Sequence, residues 1–220
     1  MEMIDGNHQN PASGVTKFKE KKRDRFVTPS ELPKLIEAIQ NESNQSAKYA
    51  LWLYLLTGLR KEELLTAKWS DIVELGSNYQ LRIEDTKNEK THYLPLSDAA
   101  MEILNQIPRV EGNPYIIVGK NKGTHLININ KPWRRVRLVA GIEDVRLHDL
   151  RRTVGSWLAQ AGNSLHLIGR VLNHSNTSTT AIYARFGQDT VRNALDRHGD
   201  QILSVAGVRT EAKVINIKKT

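Results

Sequence analysis

"HDLRRTVGSWLAQAG", residues 148–162, places Leu150, Val154, Trp157, Leu158 and Ala161 at the spacing of one helical face and stops at Gly162. His148 and Arg151 fall one turn apart at the start of that helix, so an imidazole and a guanidinium project side by side. Two cationic donors at one spot suit a phosphate. A His and an Arg at this spacing are also an ordinary surface pair, and the two residues alone leave both readings open.

Downstream, "LIGRVLN" and "TTAIYARF" read as short helices, and His174 follows the first, where it closes a turn or donates to a ligand. Tyr183 lies in the second. Its ring fits a core position with the hydroxyl at the rim, and the phenol is equally a nucleophile in the right surroundings. A last helix is expected from about Asp189 to His198, and the tail from Gly207 has a small apolar alternation with no evident partner.

Upstream, "NKPWRRVRLVAG" reads as a helix with Lys131, Arg134, Arg135 and Arg137 among its exposed positions, able to lie against a polyanion. "PYIIV" reads as a short strand. From Ile72 to Leu96 the period becomes two, and "NYQLRIEDTKNEKTHYLPLS" alternates on either side of a polar turn, the pattern of a β-hairpin with Lys87 at its tip. A lysine there is solvated or carried into a groove. Ser97 caps the helix that follows. An apolar helix over Ala47 to Leu56 stops at Gly58, and "RKEELLTAKW" starts another, with Arg60 at its head and Glu63 on the same face, able to fix the guanidinium or simply to pair with it. "TPSE" predicts Thr28 as an N-cap with Pro29 in the first helical position and Glu31 closing a capping box. The fold class expected is α+β, mainly α-helical with a small antiparallel sheet.

The chain has 220 residues, 39% of them hydrophobic, enough for one large domain. Residues 1–27 are polar, and Lys17, Lys19, Lys21, Lys22, Arg23 and Arg25 face only Glu20 and Asp24, which reads as a basic linker before a domain at 28–206 and a tail at 207–220. The absence of cysteine excludes a disulfide framework and a thiolate metal site. Neither a membrane-length apolar run nor a signal-peptide core is present, so a soluble, cytoplasmic protein without a membrane partner is expected. A net charge of +8 and a pI near 9.7 indicate an anionic partner. The basic residues recur along the whole chain instead of crowding one amphipathic helix, which favours nucleic acid over a membrane surface.

Four stretches in order, "TGLRKEELLTAKWSDI", "TKNEKTHYLPLS", "LHDLRRTVGSWLAQAG" and "VLNHSNTSTTAIYARF", resemble the tyrosine recombinase family, also called the phage integrase family, from about residue 28 to 187. The resemblance implies the fold of the DNA breaking-rejoining enzymes. It also implies a pocket in which Arg60, Lys87, His148, Arg151 and His174 surround a scissile phosphate and Tyr183 attacks it, with Glu63 supporting Arg60. Lys87 would protonate the leaving deoxyribose oxygen, and the product would be a 3′-phosphotyrosyl enzyme with a free 5′-hydroxyl, resealed without ATP. No metal or other cofactor is implied. Where the family usually has a glycine before the second histidine, this chain has Asn173, a residue that tolerates a left-handed backbone better than most.

On the same resemblance the partner is double-stranded DNA, with a monomer in isolation, a homo-tetramer on two duplexes when active, and a nucleoid-associated location. Members of the family usually carry an N-terminal helical domain, and "NPASGVTKFKEKKRDRF" looks like the connector after it, so a catalytic fragment or truncated product is expected. The tail would dock on a neighbouring protomer. Competing readings are a type IB topoisomerase, a DNA-binding module without catalysis, and a metal-dependent transposase or nuclease, for which no convincing carboxylate trio is seen.

Overall fold

The computed structural model describes residues 23–85, 90–174 and 176–205. Lys17, Lys19, Lys21, Lys22, Lys87 and the tail from Gly207 lie outside the described residues.

Helix α2 (Gln45–Thr57) forms the centre, burying Ala47, Ala50, Leu51, Leu53, Tyr54 and Thr57 on several sides. Asn44 caps it by accepting from Ala47 N at 3.0 Å, and Gly58 ends it at φ 65°. Around it pack α1 (Leu32–Gln40), α3 (Lys61–Leu65), α4 (Asp98–Gln106), α5 (Asn130–Val139) and α6 (Leu147–Gln160). Ser97 caps α4 as its sequence predicts, accepting from Ala100 N at 3.3 Å. Chain order then gives α7 (Leu165–Val171), α8 (Thr177–Thr180), a 3-10 helix (Ala181–Gly187) and α9 (Gln188–Val205).

The sheet has three antiparallel strands, β1 (Ile72–Leu75), β2 (Asn78–Asp85) and β3 (Lys90–Leu96), in that order. The alternation predicts the β2–β3 hairpin, and β1 adds a short edge strand. Leu81 faces Leu94 and Ile83 faces His92, so these four share one side, and Leu81, Ile83 and Leu94 are buried there.

Several expectations are corrected. Helix α1 begins a turn after Thr28, with Glu31 as its N-cap. Thr28 and Glu31 do exchange bonds, Glu31 Oε2 accepting from Thr28 N at 2.9 Å and Glu31 N donating to Thr28 O at 3.1 Å, but they close a turn in front of the helix. Pro33 takes the early helical position that needs no N–H. "PYIIV" is not a strand: Tyr115 and Val118 make isolated bridges to Lys68 and His125, and Ile116 and Ile117 are both buried, which a two-residue alternation does not allow. The last helix runs from Gln188 to Val205, longer than expected at both ends.

Helix α6 is enclosed on more than the predicted apolar face. Leu150 is buried, but so are Asp149, Arg151, Thr153 and Ser156, whereas Val154, Trp157 and Leu158 are half-buried and Ala161 is exposed. The cause is the segment at 23–27, expected as linker, which lies along this helix. Val27 is fully buried, its N–H donates to Thr153 Oγ1 at 2.9 Å, and its carbonyl accepts from Trp157 Nε1 at 3.0 Å. Arg23 Nε donates to Asp149 Oδ2 at 3.0 Å, while Arg25 pairs with Glu31 at 2.6 Å and Asp144 at 2.7 Å. The contacts of the domain therefore begin before residue 28.

Candidate active site

The start of α6 is fixed by Asp149, which accepts from Arg146 N at 2.8 Å and pairs with Arg23 and Arg152. Two residues on, Arg151 is directed inward and is 4% exposed. Its Nη1 donates to Gly58 O at 2.7 Å and its Nη2 to Leu172 O. Gly58 and Leu172 are the C-caps of α2 and α7, where carbonyls lack intrahelical donors and the helix dipole is negative. One planar guanidinium thus ties two helix ends together. Burial, then repulsion from Arg60, lowers its pKa to about 10, and it stays charged at neutral pH.

Arg60 is the N-cap of α3, its N–H donating to Glu63 Oε2 at 2.7 Å. Its Nη1 pairs with Glu63 Oε1 at 2.6 Å, and its Nη2 donates to Asn173 O at 2.8 Å. The two arginines hold successive carbonyls, those of Leu172 and Asn173, and Glu63 lies 3.9 Å from Arg151 Nη1. Asn173 has φ 46°, the one non-glycine in the left-handed region among the described residues. The turn expected before His174 forms with asparagine in place of glycine.

His174 is half-buried, and its Nδ1 shares a hydrogen bond of 2.9 Å with Thr180 Oγ1. Burial, then Arg151 and Arg60, lowers its pKa to about 4, so the ring is neutral. His148 is exposed at the start of α6, and desolvation followed by Arg151 and Arg152 also pushes it below its ordinary value. Their shared perturbers place both imidazoles in the field of the same arginines.

Tyr183 is carried by the 3-10 helix and is 3% exposed, in a small cluster with Ala159, Ile168 and Leu172. Gly155, one turn beyond Arg151 on α6, makes room for its ring: a Cβ there would lie 2.4 Å from Tyr183 Cζ. Burial raises the pKa of the phenol, while Arg151 and Arg152 act in the opposite direction. The hydroxyl is therefore protonated, in the field of the Arg151 guanidinium.

The structure thus brings Arg60, Glu63, His148, Arg151, His174 and Tyr183 to one place, where α3, α6, the turn after α7 and the 3-10 helix meet. Lys87 falls outside the described residues. The basic residues of α5 divide. Lys131 and Arg134 are exposed, Arg135 is paired with the buried Glu42, and Arg137 Nη1 donates to Val145 O at 3.2 Å. Two side chains that sequence reasoning left out join the site's charge field: His92 of β3 and Arg170 of α7. The strand alternation carried the signal for His92, which falls on the inward face with Leu94. Among the described residues no group of three or more histidines and carboxylates is arranged to hold a metal ion, and no helix is long and apolar enough to cross a membrane.

The model of the phage integrase family matches residues 25–188, from Arg25 to the first residue of α9. The chain belongs to that family. It is 32% identical over 161 residues to a tyrosine recombinase of Thermosipho africanus, covering 72% of this chain and 56% of that one. It is 28% identical over 200 residues to the integrase of Salmonella phage P22, covering 84% and 49%. The chain spans about half the length of these curated relatives. Among solved structures, XerH recombinase bound to palindromic difH substrate in a post-cleavage complex superposes with a TM-score of 0.65 at 23% identity, over 79% of this chain and 53% of that one. The catalytic domain of bacteriophage HP1 integrase gives 0.60 at 22%, over 78% and 93%. The fold, mainly helical with a small antiparallel sheet, is that of tyrosine recombinase catalytic domains.

Proposed function

We propose that this chain is the catalytic part of a site-specific DNA recombinase that cleaves and rejoins double-stranded DNA through a covalent bond between Tyr183 and a 3′-phosphate. The observation that carries the reading is the placement of buried Arg151 beside Arg60, His148, His174 and Tyr183, with the arginines anchored on successive carbonyls before a left-handed turn.

In this scheme Tyr183 Oη attacks phosphorus, a P–Oη bond forms, and the bond from phosphorus to the 5′-oxygen of the next deoxyribose breaks. Negative charge grows on the non-bridging oxygens, and it is stabilised by Arg151, held in place by the protein, and by Arg60 once its guanidinium has turned to the bound phosphate. The other ring nitrogen of His174, Nε2, donates a third hydrogen bond. The phenol loses its proton to His148, whose depressed pKa keeps it neutral and able to accept. The proton on the 5′-oxygen is assigned to Lys87, on the family resemblance alone. Rejoining is the same path reversed with another strand's 5′-hydroxyl, so no ATP enters.

Tyr183 must leave its place against Gly155 for in-line attack, and the short 3-10 helix that carries it, set between α8 and α9, is the element that moves. The likeness to the integrase of Salmonella phage P22 supports a role in integrating or excising a prophage or genomic island. On this reading the active species is a tetramer on two duplexes, and Lys131 and Arg134 of α5 contact the DNA backbone.

The experiment is trapping on nicked suicide duplexes. The full chain should form a covalent protein–DNA species in the presence of EDTA, and Tyr183→Phe should form none. Cleavage that needs added metal, or that survives in Tyr183→Phe, contradicts the proposal. Efficient relaxation of a supercoiled plasmid by the monomer would favour a topoisomerase.

A further inference from the structure

His92 stands where the inward row of the sheet passes from the core to the site. On that row Leu81, Ile83 and Leu94 are buried apolar residues, and His92 is the polar member opposite Ile83. Its Nε2 is sealed from solvent and has no hydrogen-bond partner among the described residues. A buried ring nitrogen left unpaired is costly, so such an atom in the wall of a site points to a partner gained in another state. The charges acting on the ring are Glu63, Arg151, Arg60 and Arg170, from α3, α6 and α7, with Glu63 the foremost.

Glu63 is the group whose surroundings must change during the reaction. Its side chain is 15% exposed, and its Oε1 is held by Arg60 Nη1 at 2.6 Å. When the Arg60 guanidinium turns to a phosphate, Oε1 loses that donor, and a carboxylate this enclosed needs a replacement. A second polar atom without a partner among the described residues, the Tyr54 hydroxyl of α2, also lies in the field of Glu63, although Glu62 acts on it more strongly. Of the two, His92 is the one on which both arginines also act.

We propose that His92 is a positioning residue: its Nε2–H takes over the Glu63 carboxylate as Arg60 turns to the scissile phosphate, which keeps Glu63 in place to hold the backbone N–H of Arg60. The inference rests on the reading of the site as a phosphodiester-cleaving centre. It requires the tautomer with the proton on Nε2.

The test compares single-turnover adduct formation and duplex affinity for the full chain on a pool of nicked duplexes with randomised flanks. His92→Leu should slow adduct formation by about tenfold, with duplex affinity and melting temperature close to those of the unsubstituted protein. His92→Gln, which keeps a donor at a similar reach, should recover most of the rate. The double variant His92→Leu with Glu63→Gln should be no slower than Glu63→Gln alone, since both remove one interaction. Equal rates for His92→Leu and the unsubstituted protein overturn the inference, as do a Gln variant no better than Leu at the same melting temperature and losses that multiply in the double variant. If the unsubstituted protein forms no adduct, the cleavage reading falls and this inference with it. If it forms the adduct and His92→Leu matches it, only the role of His92 is lost.

Discussion

The phenol end of Tyr183 rests on Gly155 so closely that a methyl group there would come within 2.4 Å of Cζ. Arg151 precedes Gly155 by one helical turn, so one face of α6 holds both the principal cation of the site and the berth of the tyrosine. Any larger residue at 155 meets the ring carbon that bears the hydroxyl, and the ring must move. Gly155→Ala should destabilise the fold by about 1–3 kcal/mol, the usual cost of overpacking. It should also bring the Tyr183 phenol into solvent, lowering its titration point in ultraviolet absorbance. An alanine variant with the same melting temperature and the same phenol titration contradicts this geometry.

Arg151 bonds two carbonyls with two different nitrogens, and a lysine ammonium at the same site cannot span them with the same planar fork. Arg151→Lys should therefore loosen the α2 and α7 ends and lower stability by roughly 1–3 kcal/mol. Arg60→Ala or Arg151→Ala should reduce cleavage by about two to three orders of magnitude while duplex binding changes little. Chemical denaturation, single-turnover cleavage and a binding titration separate these effects. Parallel losses of binding and cleavage would argue against stabilisation of the transition state.

His174 has a folded-state pKa of about 4, below the ordinary histidine value of 6.5. As pH falls through 6.5 the unfolded chain takes up a proton that the folded protein refuses until about 4, so this residue makes the fold lose stability across that window. His148 and His92 are shifted in the same direction. His174 is only half-buried, and solvent screening reduces the effect. Thermal melts at pH 7 and pH 4.5 should show His174→Gln losing roughly 2–4 °C less than the unsubstituted protein. Equal losses would show that His174 titrates normally in the fold.

The basic residues of α5 should separate into two groups. Arg135 holds Glu42, whose side chain is 2% exposed, so Arg135→Ala leaves a buried carboxylate unpaired and should lower the melting temperature. Lys131 and Arg134 are exposed, and Arg134→Ala should leave melting unchanged, weaken duplex binding and reduce the salt slope of binding by about 1. Melting curves and salt titrations of the two variants decide the division.

Much of the fold was legible because local chemistry and burial agree in the helices: Ser97 caps α4 and Gly58 ends α2. The β2–β3 hairpin followed from the alternation on either side of the polar turn. "PYIIV" misled because β-branched runs favour extended backbone whether or not a neighbouring strand exists to pair with. The segment at 23–27 was hidden for a different reason. Its charges find partners at Asp144 and Asp149, more than a hundred residues away in sequence, which no local pattern reveals.

For the site, the family motifs led to Arg60, Glu63, His148, Arg151, His174 and Tyr183, and the left-handed Asn173 needed only the known tolerance of asparagine. What the sequence did not disclose is state. A tyrosine stowed against a glycine, and a histidine nitrogen with no partner among the described residues, are properties of packing between distant elements, so neither is written in the residues around them.

The most direct test is peptide mass spectrometry of the full chain after incubation with nicked duplex DNA and nuclease trimming. The account predicts a nucleotide remnant joined through its 3′-phosphate to the peptide that contains Tyr183, formed in EDTA and absent from Tyr183→Phe. Cleaved DNA with no protein adduct, or a remnant on a different side chain, would contradict it.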